Sequence, residues 1–219
     1  MRIALIGGTG AMGTGLAARW AQSHEVMIGS RDYDRAKAAC DRIRDLISDS
    51  NARSNVDPYE NFHAIKKAEV VIPCIDYEHA VPTVRDMVAG FKDQVLISPL
   101  TPMMGSEGSY HYIRPKQGSA AMQLASIMPE KVAVVSCFQG LPASKLADVN
   151  RTINYDIPVF TDSGSARKKT FELIRDIRYL KPLYGGPLDF AYIGEMMGVL
   201  WRNLGFLNRL KDPSFKFPE

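Results

Sequence analysis

The chain has few of the residues on which disulfide frameworks and metal centres depend. It contains 3 cysteines and 4 histidines among its 219 residues. Cys40, Cys74 and Cys137 form no CxxC motif and cannot all pair, so we expect small, buried, reduced thiols. The histidines share no ligand spacing with one another or with a cysteine, and we therefore predict no metal site.

Long apolar runs and a large excess of one charge are also missing. No stretch approaches the roughly 20 apolar residues of a membrane span, and the apolar run at the start is too short for a signal peptide, so we expect a cytoplasmic protein without membrane contact. The 27 basic and 24 acidic residues leave a net charge of +3 and are scattered. Nucleic acid is therefore not an expected partner. No GxSxG elbow or Ser-His-Asp arrangement indicates a hydrolase, and His79 is expected to cap or pack at the start of a helix.

A regular alternation of strands and helices is what the chain does contain. It is 46% hydrophobic and 23% charged, an ordinary globular composition. The periodicity predicts a Rossmann-type α/β fold with a doubly wound parallel sheet. The predicted strands are residues 2–6, 25–29, 69–74, 94–98, 131–136 and 156–161. The predicted helices are residues 11–23, 33–47, 59–67, 78–89, 119–128, 166–178 and 188–210, and residues 48–58 are predicted as a surface loop.

The alternation weakens after about residue 150. We therefore predict a first domain over residues 1–149 and a small C-terminal α+β domain over residues 150–219. The last helix is too apolar around its circumference for an ordinary surface helix. It is expected to pack against the first domain or a second subunit, so we predict a homodimer through this helix.

A glycine-rich turn between the first strand and the first helix carries the clearest chemical signal. Gly8, Gly10 and Gly13 satisfy the G-x-G-x-x-G spacing of dinucleotide-binding turns. Glycines there permit a sharp turn and close approach of a pyrophosphate to the free N–H groups of a helix. The residues expected to contact a dinucleotide here are Gly8, Thr9, Gly10, Ala11, Met12 and Gly13.

The end of the second strand indicates which dinucleotide is bound. An NAD-binding fold usually has an acidic residue there for the ribose hydroxyls, whereas this chain has Ser30 and Arg31, with Arg35 one turn further on. A guanidinium can bind the 2′-phosphate of NADP, and a serine can donate its hydroxyl. The sequence therefore favours NADP(H).

Further motifs resemble those of the archaeal NADPH:coenzyme F420 oxidoreductases in order and spacing across nearly the whole chain. Besides the glycine turn and Gly-Ser-Arg, they are Glu78-His79-Ala80, Ser98-Pro99-Leu100-Thr101-Pro102, Ser136 with Leu141-Pro142-Ala143, and Gly186-Pro187-Leu188. The resemblance implies hydride transfer between NADP(H) and a deazaflavin such as coenzyme F420. Both rings carry the electronics of that reaction, so no catalytic side chain is expected.

The resemblance also assigns residues to the two ring sites. On the nicotinamide side it implies Cys74, Ile75, Pro99 and Leu100. On the deazaflavin side it implies Ser136, Gln139, Leu141, Pro142, Ala143 and Asp189.

Three positions expected near the two rings depart from the family pattern. Gln139 stands where a histidine is common, Asp189 where small polar residues are common, and Asp76 where a proline is frequent. A carboxylate beside an anionic deazaflavin would need an offsetting cation, for which Lys181 and Arg202 are candidates. Two alternatives stay open: an NADPH-dependent reductase of a pterin-like, flavin or carbonyl acceptor, and a non-catalytic NADP-binding subunit.

Overall fold

The computed structural model describes residues 1–47, 54–211 and 213–218. Within these residues the chain forms ten strands, numbered in chain order. They are β1 Arg2–Ile6, β2 Glu25–Ser30, β3 Val56–Glu60, β4 Val70–Pro73, β5 Val95–Ser98, β6 Met103–Met104, β7 His111–Tyr112, β8 Ala133–Ser136, β9 Tyr155–Phe160 and β10 Leu180–Gly186.

Eight α-helices connect or follow these strands in the described residues. They are α1 Ala11–Trp20, α2 Tyr33–Ile47, α3 Asn61–Lys67, α4 Tyr77–Asp86, α5 Ala120–Ala125, α6 Ala143–Leu146, α7 Gly164–Arg175 and α8 Ala191–Leu207. Short 3₁₀ turns at Val88–Gly90 and Leu188–Phe190 follow α4 and precede α8. No helix among the described residues is long and apolar enough to cross a membrane.

Eight of the strands form one sheet in the order β10-β9-β8-β5-β4-β1-β2-β3. All neighbours pair in parallel except β8 and β9, which run antiparallel through Ser136 and Phe160. The strand order reverses on either side of β1, as in doubly wound folds, so the carboxyl ends of β1 and its neighbours face one common edge. The Rossmann-type fold expected from the sequence is confirmed.

The core lies in two layers, one on each face of the sheet. Ile3 and Leu5 of β1 face a cluster that contains Leu16 and Trp20 of α1, while Ala4 and Ile6 face a second cluster that contains helices α3, α4 and α5. Because successive side chains of a strand point to opposite faces, a continuous apolar run indicates a strand covered on both sides. The helices are thereby fixed on the two faces of the sheet.

The prediction of a loop over residues 48–58 followed by a helix from residue 59 was wrong at its C-terminal end. Val56 to Glu60 form β3, which pairs with β2 in register Val26↔Val56 through Ser30↔Glu60. Pro58 has no N–H to donate, but β3 is an edge strand, where that loss is tolerated. Residues 48–53 of the predicted loop lie outside the described residues.

The C-terminal residues extend the same sheet. Strand β10 was missed by the sequence prediction, since Pro182 and two glycines weaken its apolar pattern, yet it pairs with β9 over six positions. Thr161 follows β9 and donates a 2.8 Å hydrogen bond to the carbonyl of Val134 in β8. The domain division at residue 150 stays a prediction.

A small hairpin of β6 and β7 lies against α8. Asn203 of α8 accepts a 2.9 Å hydrogen bond from the Tyr110 N–H and donates one of 2.8 Å to the Tyr110 carbonyl. Two hydrogen bonds to one backbone unit fix the loop that joins the hairpin strands. The helix and the loop between β5 and α5 therefore form one wall.

Candidate functional site

An open cleft of about 1040 Å³ lies at the carboxyl ends of the central strands. Each of five neighbouring strands contributes a residue at or just beyond its end: Gly7 after β1, Ser30 of β2, Cys74 after β4, Pro99 after β5 and Phe138 after β8. This edge is where open parallel sheets bind their ligands. The cleft is therefore the candidate functional site.

The glycines of the first turn have different tasks. Gly7 has a φ of +64°, a conformation that favours glycine. The N–H of Gly8 is used within the fold, because it donates to the carbonyls of Leu5 and Gly29. A Cβ on Gly13 would lie 2.4 Å from the Gly8 backbone, so Gly13 permits α1 to pack closely on the turn.

Gly10, by contrast, opens directly onto the cleft. A Cβ built there would meet no atom within 4 Å. Gly10 is also the N-cap of α1, and no side chain caps this helix. The first N–H groups of a helix have no partner within the helix and favour an anion. The turn therefore presents a cradle to which a phosphate group fits.

Asn61, the first residue of α3, holds this turn from the side. Its Oδ1 accepts a 3.1 Å hydrogen bond from the Gly7 N–H. The same oxygen lies 2.6 Å from where a Cβ on Gly29 would be, so a side chain there would displace it. Asn61 is buried, lines the cleft and was missed by the sequence analysis, because nothing in the local pattern pairs α3 with the turn.

Two arginines stand free beside the end of β2. Arg31 and Arg35 are exposed, line the cleft and form no ion pair with any described residue. The neighbouring Asp32 is engaged elsewhere, since its Oδ1 accepts from the N–H groups of Asp34 and Arg35 at the start of α2. Ser30 is buried, and its Oγ accepts from the Asp32 N–H at 3.2 Å. The charge offered at this end of the cleft is therefore positive.

The middle of the cleft is apolar. The Ile75 side chain lies over Gly7, with its Cγ1 2.4 Å from the position of a Gly7 Cβ. Leu100 is buried and Pro99 half-buried at the opposite side. The half-buried Cys74 thiol is directed toward the Ile72 carbonyl, and its burial raises the pKa of the thiol to about 12. A flat aromatic ring would find neutral surfaces there.

The far end of the cleft is shaped by the turn after β8. Phe138 is buried with a φ of +74° and packs at 6.1 Å on Trp20. Gln139 donates through Nε2 to the Ser98 carbonyl at 3.0 Å and to the Ser136 Oγ at 2.8 Å. Both hydrogen bonds use the Nε2 group of Gln139, so the Oε1 of the same amide is the atom that remains to accept a hydrogen bond from a ligand. Ser136 therefore acts on the cleft through Gln139.

The structure brings most of the predicted site residues together. Those that line the cleft are Thr9, Gly10, Ala11, Met12, Ser30, Arg31, Arg35, Cys74, Ile75, Pro99, Leu100, Gln139, Leu141 and Ala143. Those that do not line it are Gly8, Gly13, Ser136, Pro142 and Asp189. Pro142 is the N-cap of α6, and Asp189 is exposed in the 3₁₀ turn before α8.

A buried carboxylate supports one wall of the cleft. Glu195 of α8 is fully buried and accepts hydrogen bonds from the Tyr112 hydroxyl and from the N–H groups of Ala120 and Ala121. Burial raises the pKa of Glu195 to about 7 despite these donors. Tyr77, which lines the cleft, donates a 2.9 Å hydrogen bond to Gln123 of α5, the helix that also contains Ala120 and Ala121.

The described residues contain no group of three or more potential metal ligands.

Comparison with known proteins identifies relatives over the whole chain. The family described as "NADP oxidoreductase coenzyme F420-dependent" matches residues 2–102. An F420-dependent NADP reductase of Methanothermobacter thermautotrophicus is 30% identical over 220 residues, which cover 99% of this chain and 94% of that protein. One of Methanocaldococcus jannaschii is 29% identical, covering 99% and 97%.

Solved structures agree in fold. A structure from Arthrobacter sp. FB24, provisionally assigned as an F420-dependent NADP reductase, superposes with a TM-score of 0.81 at 20% identity over the full length of both chains. An imine reductase of Streptomyces aurantiacus matches with a TM-score of 0.58 at 18% identity, covering 95% of this chain and 62% of that one. On the strength of its full-length relatives, the chain belongs to the family of F420-dependent NADP reductases.

Proposed function

We propose that this protein transfers a hydride between NADP(H) and coenzyme F420 in the cleft at the carboxyl ends of the sheet. The observation that carries the proposal is a single cleft with an open glycine cradle, two unpaired arginines at one end and an apolar middle. The family's named activity requires two ring systems side by side. A cleft of about 1040 Å³ that spans five strand ends is roomy enough for both.

The pyrophosphate of NADP(H) is proposed to lie at Gly10 and the first turn of α1. The absence of any atom near a Gly10 Cβ leaves room for the phosphates to approach the backbone. The uncapped N-terminus of α1 offers N–H groups from Ala11 and Met12. Gly8 and Gly13 support this site by their packing rather than by contact.

The 2′-phosphate of NADP(H) is proposed to lie between Arg31 and Arg35, with Ser30 and Thr9 beside them. Neither guanidinium has a carboxylate partner among the described residues, so both are available to a phosphate. Asp32 follows Ser30 and Arg31, beyond the strand end where NAD-binding folds place their acidic residue, and its Oδ1 is used to cap α2. This arrangement supports NADP(H) over NAD(H).

The two rings are proposed to meet over the apolar middle of the cleft, with Cys74, Ile75, Pro99 and Leu100 beside the nicotinamide. NADPH supplies a hydride that the deazaflavin ring accepts directly, so the protein mainly orients the rings and limits water. The pKa of Cys74, raised to about 12 by burial, keeps its thiol neutral and excludes a thiolate near the transferred hydride at physiological pH. No side-chain acid or base is assigned.

The deazaflavin side is proposed to be formed by Gln139, Leu141 and Ala143, which line the cleft. Ser136 holds the Gln139 amide, and Pro142 sets the start of α6. Asp189 is exposed and does not line the cleft, so its place beside the acceptor stays a prediction. Asp189 therefore places no carboxylate in the cleft, whereas Asp76 lines it.

A steady-state assay tests this function. Purified protein mixed with NADPH and oxidised coenzyme F420 should bleach the visible absorbance of the deazaflavin, and NADH should be a much poorer donor. NADPH oxidation with a flavin, pterin or carbonyl compound but never with F420 would favour a reductase of another acceptor. Tight NADP binding without turnover of any acceptor would favour a non-catalytic subunit.

Self-association through α8 is a further part of the proposal. Ile193, Met196 and Leu200 lie on one helical face and are 42–48% exposed. Such a contiguous apolar stripe is costly in water and supports a homodimer through this helix. Light scattering should show a dimer that becomes monomeric in Met196→Glu. A monomer at all protein concentrations would refute this assembly.

The expected compartment is the cytoplasm, supported by the three free thiols of Cys40, Cys74 and Cys137. Localisation of a tagged chain by fractionation tests it.

The division into domains of residues 1–149 and 150–219 also remains a proposal. Limited proteolysis near residue 150 would support it.

A further inference from the structure

The terminal helix α8 carries an arginine into the cleft at the end opposite the glycine turn. Gly194 and Gly198 let the helix approach the sheet closely: a Cβ on Gly198 would lie 2.8 Å from the Thr101 Oγ1 and 3.1 Å from the Gln139 carbonyl. Arg202 follows Gly198 by four residues and so lies on the same face of the helix. It lines the cleft beside the ends of β5 and β8.

The Arg202 guanidinium is held in place without being neutralised. Its Cζ lies 5.3 Å from the centre of the Tyr110 ring, and Asn203 fixes the Tyr110 backbone through two hydrogen bonds. Arg202 forms no ion pair with any residue in the part of the chain that the structure describes. A positioned, exposed and unpaired guanidinium is suited to bind an anion.

The cleft carries exposed arginines at both of its ends. Arg31 and Arg35 follow β2, on one side of the sheet order, whereas Arg202 lies near the ends of β5 and β8, on the other side. Between them Asp76 and Glu78 line the cleft, and the Oε1 of Glu78 lies 3.6 Å from the Nε2 of the neighbouring His79. One NADP molecule bound at the glycine turn uses the first pair of arginines, which leaves Arg202 for the second substrate.

We propose that Arg202 is a specificity-determining residue that binds the negatively charged side chain of the hydride acceptor. The inference rests on the proposed function and deepens it, since it names the part of the acceptor that this end of the cleft selects. Coenzyme F420 carries phosphodiester and carboxylate groups on the side chain of its deazaflavin ring. A guanidinium over Tyr110 would bind such a group while the ring occupies the apolar middle.

Steady-state kinetics with two acceptors test the proposal. Coenzyme F420 is compared with the riboflavin-like deazaflavin core that lacks the phosphate and carboxylate groups. Arg202→Ala should raise the KM for F420 about tenfold, as expected for loss of a charge-assisted contact, while changing the KM for the core by less than twofold. Arg202→Lys should recover part of the loss, and added salt should raise the wild-type KM for F420.

Arg114 provides a matched control. Its Cζ lies 5.4 Å from the Tyr192 ring, a similar cation–π contact, but it does not line the cleft. Arg114→Ala should leave both acceptors unaffected.

The outcomes separate the two proposals. Equal effects of Arg202→Ala on F420 and on the core, or a raised KM for NADPH alone, would overturn the role of Arg202 while hydride transfer to F420 stands. No reduction of either deazaflavin by the wild type would overturn the proposed function and this inference with it.

Discussion

The hydroxyl of Tyr112 donates a 2.8 Å hydrogen bond to the fully buried carboxylate of Glu195. The same carboxylate accepts from the N–H groups of Ala120 and Ala121 at 3.0 and 3.1 Å. Glu195 therefore joins α8, the β6–β7 hairpin and the start of α5. Of these elements, the hairpin contributes Met103 and α8 contributes Arg202 to the lining of the cleft.

The pKa of Glu195 predicts how this junction responds to pH. Burial is the largest cause of the shift and raises the pKa to about 7 from an ordinary 4.5, so the folded protein holds the proton more tightly than the unfolded chain. The free energy of unfolding should therefore fall as pH rises from about 4.5 to about 7 and level off above, a loss of roughly 3 kcal/mol. Urea unfolding at several pH values measures this slope.

Glu195→Gln tests whether Glu195 causes this pH dependence, because an uncharged amide does not titrate. The variant should lose most of the decrease in stability between about pH 4.5 and pH 7. Glu69→Gln is the control: the N–H of Arg2 holds the pKa of Glu69 below its usual range, so this variant should keep the decrease. An unchanged slope in Glu195→Gln would contradict the prediction.

The nucleotide preference should depend on Arg31. Arg31→Ala is expected to weaken the binding of NADPH by roughly 1.5–3 kcal/mol, because a charge-assisted contact is lost, and to have little effect on the binding of NADH. Calorimetric titration of both nucleotides measures the difference. Lys37→Ala removes an exposed cation of α2 that does not line the cleft, and this variant should bind NADPH like the wild type. Equal binding of the two nucleotides by the unmodified protein would refute the assignment.

The fold could be predicted largely because its signals are local. The strand, glycine turn and helix of residues 2–20 and the amphipathic pattern of α2 follow from periodicity within one segment. Edge strand β3 was missed because Pro58 indicates a turn locally, and only pairing with β2 makes it a strand. Strand β10 was missed for a similar reason.

The site was predictable where one short segment carries the chemistry. The glycine turn and Arg31 lie within 25 residues of each other and line one cleft, and their proposed roles rest on the general mechanics of such turns. Asn61 and Tyr110 could not be found this way, since their positions depend on contacts across 54 and 93 residues of chain. The positive φ of Phe138 also has no sequence signal, because phenylalanine does not favour it.

Asn61 should matter for both stability and nucleotide binding. Asn61→Ala leaves the Gly7 N–H without its partner and is expected to cost roughly 1–3 kcal/mol of stability. Asn61→Asp keeps an oxygen acceptor of the same shape but adds a negative charge beside the proposed pyrophosphate site. It should therefore weaken NADPH binding more than it weakens the fold, as measured by calorimetry and urea unfolding. Loss of stability without loss of NADPH affinity in Asn61→Asp would show that the residue has no electrostatic effect on the site.

Gly10 and Gly13 of the glycine turn should separate folding from binding. A Cβ on Gly13 would lie 2.4 Å from the Gly8 backbone, so Gly13→Ala must push α1 away from the turn and should lower the melting temperature. A Cβ on Gly10 meets nothing within 4 Å, so Gly10→Ala should fold normally but place a methyl group at the proposed position of the phosphates. NADPH affinity should therefore fall in Gly10→Ala at an unchanged melting temperature. Unimpaired NADPH binding by Gly10→Ala would mean that the pyrophosphate does not lie against this turn.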